Sequence, residues 1–273
     1  IVGGHCSHDY IMFVAVLRYY LKTDLADIDL SRFARVGRDA TPAMVEGWIK
    51  EARSFARSLN RPLEPGDILA QMVPRDDRSP QDIRAVAIHE MGHAVLAHRL
   101  GQMVDSVSII PDAETGGRTW TRLASTVPTW QGLLDIVAVP LGGRAADIAL
   151  GLGPNAGAEG DLASATDMIL SAHERQGLRD HLVFAPVLGI RPAGTFAAVN
   201  AELRRQLKRA IAVVEADRDS LLELAERLIE EKVLSGDDVT RALDERPVQP
   251  DPKRVRSRKM QTLPVSNRGD GAT

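Results

Sequence analysis

The segment His89-Glu90-Met91-Gly92-His93 has the form H-E-x-x-H and lies within a stretch whose patterning predicts a helix. Residues four apart on a helix lie on the same face, so His89 and His93 can offer two imidazole nitrogens to one metal ion. Glu90 lies beside the first histidine, where its carboxylate can take a proton from water bound to that metal. The spacing therefore predicts a zinc site that supports hydrolysis.

The flanking residues predict where this helix begins and ends. Ser79 can cap the first turn, Pro80 suits the first helical position, and Asp82 follows Ser79 at the spacing of a capping box. Gly101 supplies the stop, and the apolar residues in between run almost all round the helix, which indicates deep burial. A glycine such as Gly92 lowers the stability of a helix interior by up to about 1 kcal/mol relative to alanine. Its presence therefore indicates that another part of the protein approaches the backbone closely at that point.

Two satisfied core histidines on a buried helix are the alternative interpretation of this segment. Burying two imidazoles and a carboxylate is costly unless something satisfies them, and a metal ion does so. We therefore favour the metal site over the purely structural helix.

A hydrolytic zinc site needs a third protein ligand and an open position for water. Asp161 is one candidate, because a glycine-bearing loop turns there into the amphipathic segment Leu162–Gln176. Its alternative role is to cap that helix. Asp147 is the other candidate, and its alternative is an ordinary solvated or salt-bridged helix residue. Spacing alone does not choose between the two carboxylates.

Three blocks of sequence resemble the peptidase domain of the FtsH-type ATP-dependent zinc metalloproteases. They are HEMGHA at 89–94, GGRAAD at 142–147 and GAEGDL at 157–162, where the family has patterns close to HEAGHA, GGRxAE and GAxxD. The resemblance implies that His89, His93 and Asp161 bind one Zn²⁺ per chain and that Glu90 is the catalytic base. Asp147 stands where the family has a glutamate, and the resemblance implies a supporting role for it near the site. Met91 replaces the usual alanine and removes neither a ligand nor the base.

The sequence predicts a mainly α fold with a small β element. Val107–Pro111 is a β-branched run that can pair with Gly117–Thr121 across a turn-rich loop. Helical spacing then runs over 197–217 and 220–232, and Ser235 can cap a short final helix that ends near Leu243.

The region before the peptidase resembles a different module. Thr41 can cap a helix over Pro42–Leu59, and this helix with its neighbours resembles the helical lid of an AAA ATPase. The apolar run Tyr10–Leu17 predicts a buried strand or a helix end. The chain contains no G-x-x-x-x-G-K-[ST] loop and begins at Ile1, so we expect the C-terminal part of a longer protein. ATP would act only through a missing or partner ATPase module.

We expect residues 1–76 to form the partial lid-like region, 77–246 the zinc peptidase domain and 247–273 a disordered basic tail. A contact of the tail with anionic lipid or nucleic acid is the alternative for that segment. The net charge of −3 and the pI near 6.2 argue against nucleic-acid binding by the chain as a whole. The single cysteine, Cys6, suits a reducing compartment.

The resemblance implies an endopeptidase that degrades unfolded or tagged polypeptides and works with an AAA ATPase ring, normally a homo-hexamer. It implies a cytoplasmic protein, or one held at the cytoplasmic face of the inner membrane by segments absent here. Two alternatives stay open: a catalytically silent scaffold of an AAA assembly, and a stand-alone zinc peptidase that needs no ATP. A scaffold would not cut casein, whereas a stand-alone peptidase would cut it without ATP.

Overall fold

Helices make up most of the part of the chain that this computed structural model describes. The described residues are 6–28, 30–37, 40–73, 75–111, 115–123, 125–179, 182, 184–185 and 193–245. The predicted mainly α class with a small β element is confirmed. The basic tail that we predicted over 247–273 lies outside the described residues.

The α-helices are, in chain order, α1 Cys6–Leu21, α2 Ser31–Val36, α3 Pro42–Ser58, α4 Pro65–Met72, α5 Pro80–Arg99, α6 Trp130–Ala138, α7 Gly142–Ala149, α8 Glu159–Glu174, α9 Thr195–Ala216, α10 Arg218–Glu231 and α11 Gly236–Asp244. The strands are β1 Met103–Ser108, β2 Arg118–Arg122 and β3 Val233–Ser235, and a 3₁₀ turn spans Ala156–Ala158. The helices predicted near 42–59, 197–217 and 220–232, and the final helix capped by Ser235, are confirmed to within a few residues.

Helix α5 lies at the centre of a large buried apolar cluster, and its predicted limits are confirmed. The Ser79 hydroxyl accepts a hydrogen bond from the Asp82 backbone N–H and donates to the Asp82 carboxylate. The helix ends at Arg99, and Gly101 follows with φ of +78°, a left-handed conformation that favours glycine. An unbroken buried run covers residues 90–97, so the deep burial predicted for this helix is also confirmed.

A three-stranded antiparallel sheet in the order β2-β1-β3 lies against α5. Val107 pairs with Thr119, which confirms the predicted hairpin, although β1 begins at Met103 and ends at Ser108. The third strand was not predicted, because three residues between two helices carry no alternation that a sequence pattern could reveal. Strand β2 is left at the edge of the sheet.

Two local predictions were wrong. Asp161 does not cap its helix: the helix starts earlier, at Glu159, because the 3₁₀ turn runs directly into it and Asn155 caps that turn by accepting from the Gly157 N–H. The run Tyr10–Leu17 is neither a strand nor a helix end, since it lies inside α1. Leu17 is fully buried there, as helical rather than strand periodicity requires.

The buried apolar residues form three clusters. The first cluster is formed by the four helices from α1 through α4. The second surrounds α5 and includes residues of α7, the sheet and the C-terminal helices. The third lies between α6, α8 and α9. The second cluster surrounds the H-E-x-x-H turn, and so this segment is built into the core around α5. None of the described helices combines the length and the apolar character that a bilayer crossing requires.

Candidate metal centre

His89 and His93 lie one turn apart on α5 and meet Asp161 from the first turn of α8. The Asp161 Oδ2 atom is 3.1 Å from His89 Nε2 and 3.3 Å from His93 Nε2. Ligand atoms of all three residues lie within 4.8 Å of one another. The structure therefore brings together the three residues that the sequence comparison with the FtsH family singled out as ligands.

The outer nitrogen of each imidazole faces a hydrogen-bond acceptor. His89 Nδ1 is 2.9 Å from Asp147 Oδ2, and His93 Nδ1 is 2.8 Å from the Val139 carbonyl oxygen. Because a carboxylate and a carbonyl only accept, both Nδ1 atoms carry the proton. The Gly143 N–H also approaches His93 Nδ1, but this contact of 3.4 Å is much longer than the 2.8 Å bond to Val139 and does not decide the tautomer. In the neutral rings the Nε2 lone pairs then point toward Asp161, which is the tautomer that a metal ligand needs.

This donor set fits a zinc ion. Ligands held about 2.1 Å from a tetrahedral ion lie roughly 3.4 Å apart, close to the observed separations. Two nitrogen lone pairs and an anionic oxygen facing one another repel unless a cation lies between them, and only protons or a metal can supply that charge. Two imidazoles with one carboxylate also match the protein ligands of catalytic zinc sites, which keep a fourth position open.

The acidic neighbours change the proton affinity of these groups in the absence of a metal. Burial lowers the pKa of His89, but hydrogen bonds to Asp147 and Asp161 outweigh it and raise that pKa to about 10. The pKa of His93 is also raised, because Asp161 outweighs the opposing effect of burial. Burial likewise opposes the shift of Asp161, yet its hydrogen bonds with both histidines hold the pKa of its carboxyl well below the ordinary value. The site is thus strongly favourable for positive charge.

Glycines allow α5 and α7 to approach within backbone contact. A Cβ added to Gly92 would lie 2.3 Å from the Gly142 carbonyl oxygen, and one added to Gly142 would lie 2.6 Å from the Gly92 carbonyl oxygen. The close approach predicted at Gly92 is therefore confirmed. A Cβ at Gly143 would lie 2.3 Å from His89 Nε2, so the start of α7 also forms one wall against the histidine ring.

Asp147 lies behind His89 and not among the three converging ligand atoms. Its side chain is fully buried, and its Oδ2 accepts from His89 Nδ1 and, at 2.9 Å, from Asn155 Nδ2. Within the described residues its Oδ1 has no hydrogen-bond partner. Of the alternative of a solvated or salt-bridged helix residue, the solvated part is wrong, because the packing of α7 on α5 places this carboxylate in the interior, where it pairs with His89.

Glu90 lines the same cleft, an open cavity of about 1120 Å³ that also contains His89, His93 and Asp161. Its side chain is largely buried, and its Oε2 accepts a 2.7 Å hydrogen bond from the Thr119 hydroxyl on β2. The cleft thus places a carboxylate beside the converging ligands. This arrangement can take a proton from water positioned at the site.

Sequence analysis missed two residues that contact the site. Asn155 hydrogen-bonds the Asp147 carboxylate and caps the 3₁₀ turn that precedes Asp161. Its place two residues before Gly157 is typical of a turn and could have indicated this role. Thr119 carried no signal, because a threonine in a strand is explained by β propensity alone.

The region that holds the site matches a known protein family. Residues 77–187 match the model of peptidase family M41. The chain is similar to an ATP-dependent zinc metalloprotease FtsH of Thermus thermophilus, with 28% identity over 254 residues that make up 82% of this chain and 40% of that protein. FtsH of Acidothermus cellulolyticus is 30% identical over 256 residues, 81% of this chain and 38% of that protein. FtsH of Veillonella parvula is 32% identical over 171 residues, 57% of this chain and 26% of that protein.

These matches confirm the resemblance to FtsH-type zinc metalloproteases. The chain spans two fifths or less of the length of each of these relatives.

Proposed function

We propose that this chain is the proteolytic part of an ATP-dependent zinc protease and cleaves internal peptide bonds of unfolded or tagged polypeptides, since residues 77–187 match the model of peptidase family M41. The observation that carries the proposal is the meeting of His89 Nε2, His93 Nε2 and Asp161 Oδ2 in a cleft that also contains Glu90. In this proposal the first three residues hold one Zn²⁺ and Glu90 is the general base.

Each residue of the site has a separate task. Bound zinc would polarise the scissile carbonyl and make a water at its open position more acidic. Glu90 accepts a proton from the attacking water and returns it to the leaving amine, so the net reaction adds one water across the peptide bond. Asp147 holds the His89 ring through Nδ1 and keeps its Nε2 lone pair directed into the site. Since water is the nucleophile, no covalent enzyme intermediate forms.

The edge strand β2 supports binding of an extended polypeptide. It borders the cleft through Arg118, Thr119 and Thr121, and one of its sides has no strand neighbour in the described sheet. Main-chain pairing with such an edge binds peptide with little dependence on sequence. This suits an enzyme whose substrates share an unfolded state rather than a motif.

Coupling to an ATPase is the second part of the proposal. The relatives are named ATP-dependent, and we propose that residues 1–76 are part of an AAA lid, 77–246 the peptidase domain and 247–273 a basic tail. The four helices α1 to α4 with their own apolar cluster support the first boundary. In this proposal ATP hydrolysis comes from an ATPase module or partner, and the assembled protein is a homo-hexamer that acts in the cytoplasm or at the cytoplasmic face of the inner membrane.

The test is zinc content together with casein cleavage for the purified chain, Glu90→Gln and Asp161→Ala. We expect one zinc per chain in the wild type, retained zinc without cleavage in Glu90→Gln, and weakened zinc binding in Asp161→Ala. Full zinc in Asp161→Ala would remove Asp161 from the ligand set. A wild type that holds zinc but cuts nothing, alone or with an ATPase partner, would favour the scaffold, and efficient cleavage without any ATPase would favour the stand-alone peptidase.

A further inference from the structure

The geometry points to Thr119 as the residue that positions the catalytic carboxylate, an inference that rests on the proposed role of Glu90 as general base. The Thr119 Oγ1 atom lies 2.7 Å from Glu90 Oε2 and 3.0 Å from the Glu90 backbone carbonyl oxygen. A single hydroxyl on the neighbouring strand therefore contacts both ends of the same glutamate.

Strand β2 lies close enough to helix α5 for Thr119 to contact Glu90. Thr119 pairs with Val107 of β1, and Gly117 lies two residues earlier, directly before the start of β2. A Cβ on Gly117 would lie 2.9 Å from Glu90 Cγ and 2.8 Å from Val86 Cγ1. The absence of a side chain at Gly117 lets the strand approach α5, and the hydroxyl two residues later completes the contact.

The hydrogen bond from Thr119 gives the two carboxylate oxygens of Glu90 different roles. A hydroxyl has one proton, so donation to Oε2 at 2.7 Å fixes the carboxylate plane and leaves Oε1 outside this bond. Oε1 is then the oxygen that receives the proton of the attacking water. Once Glu90 holds that proton, the Thr119 hydroxyl can turn its O–H toward the Glu90 carbonyl oxygen and remain in place. Thr119 therefore acts through Glu90 and touches neither the metal ligands nor the scissile bond.

The restraint matters because a glutamate has three side-chain torsions. Glu90 lines the cleft but is only 7% exposed, so its carboxylate has little contact with bulk water and needs a hydrogen-bond partner from the protein. A misplacement of about 1 Å at a reacting group can cost on the order of 100-fold in rate. A hydrogen bond from the strand that borders the proposed substrate path removes this freedom without changing the metal ligands.

The test compares Thr119→Val, Thr119→Ser and Glu90→Gln in the full chain, with zinc content, kcat and KM measured on casein. We expect Thr119→Val to keep its zinc and its KM and to lose about 10-fold or more in kcat, since it loses a hydrogen bond to a charged group. Thr119→Ser keeps the hydroxyl and should recover most of kcat. Thr166→Val is the matched control, because it also removes a hydroxyl bonded to a carbonyl, that of Leu162, outside the site.

Wild-type kcat in Thr119→Val beside an inactive Glu90→Gln would overturn the inference and leave the proposed function intact. Equal losses in the valine and serine variants, a rise in KM alone, or loss of zinc would overturn it as well, because each indicates strand packing rather than the hydroxyl. A wild type that is inactive both alone and with an ATPase partner, or an active Glu90→Gln, would overturn the proposed function instead. Crystal structures of the wild type and Thr119→Val test the positioning independently of activity. In Thr119→Val we expect the Glu90 carboxylate to move away from residue 119 of β2. A carboxylate in the same position in both structures would contradict the inference.

Discussion

Replacing Gly92 by alanine tests the packing on which the whole site depends. The added Cβ would lie 2.3 Å from the Gly142 carbonyl oxygen and 2.8 Å from the Ala146 Cβ, whereas ordinary contacts begin near 3.4 Å. Helix α7 must therefore move away from α5 by about 1 Å, a distance that a close-packed interior does not absorb without strain. We expect this overpacking to cost about 1–3 kcal/mol of unfolding free energy.

A second alanine substitution separates packing from helix propensity. Gly47 lies on the exposed side of α3, and a Cβ there would meet nothing within 4 Å. Gly47→Ala should stabilise the chain by up to about 1 kcal/mol, because alanine is the better helix former. The same propensity gain is present in Gly92→Ala, so the difference between the two variants isolates the contact between α5 and α7.

Urea unfolding followed by far-ultraviolet circular dichroism measures both variants, with zinc present and after chelation. We expect Gly92→Ala to be the less stable of the two by about 1–3 kcal/mol, with the larger deficit in the presence of zinc. The zinc-dependent part arises because α7 carries Asp147, whose 2.9 Å hydrogen bond to His89 lengthens as the helix moves. Equal stabilities within about 0.5 kcal/mol would refute the contact, since surface substitutions usually remain inside that range.

Three further predictions concern the same site and the N-terminal helices. Gly143→Ala places a Cβ 2.3 Å from His89 Nε2, so we expect the imidazole ring to be displaced. Zinc affinity, measured by competition with a chelator, should then fall by about 10-fold or more. Unchanged affinity would contradict the close contact between Gly143 and the His89 ring. Asp147→Asn should weaken zinc binding by about 10- to 100-fold in the same competition while leaving Asp161 in place, because His89 loses its charged partner. Hydrogen bonds from Arg61 lower the pKa of Asp67 from 3.8 to about 2, so its stabilising contribution is complete above pH about 4 and is lost as the pH falls toward 2. As the pH falls from about 4 toward 2, the melting temperature of the wild type should therefore decrease more steeply than that of Asp67→Asn. Parallel plots of melting temperature against pH would contradict the stabilising ion pair between Arg61 and Asp67.

Local features of the sequence determined helix α5 and the spacing of its chemistry. Ser79, Pro80 and Gly101 act within one turn of where they stand, and the same-face placement of His89 and His93 follows from helix periodicity alone. The close approach at Gly92 was also predictable, because glycine in a helix interior is costly unless a neighbour needs the space. These predictions agreed with the structure because each depends on residues a few positions apart.

Spacing left open which carboxylate meets the two histidines, the family resemblance implied Asp161, and the tertiary structure gives the physical reason. The packing of α7 on α5 puts Asp147 behind His89 at Nδ1, and the packing of α8 on α6 and α9 brings Asp161 in front at Nε2. The contact of Thr119 with Glu90 and the third strand of the sheet arise in the same way, from segments brought together across 29 residues and across most of the domain. Sequence periodicity describes the faces of single elements, whereas distances between elements are set by how their side chains fill the core, which no local pattern contains.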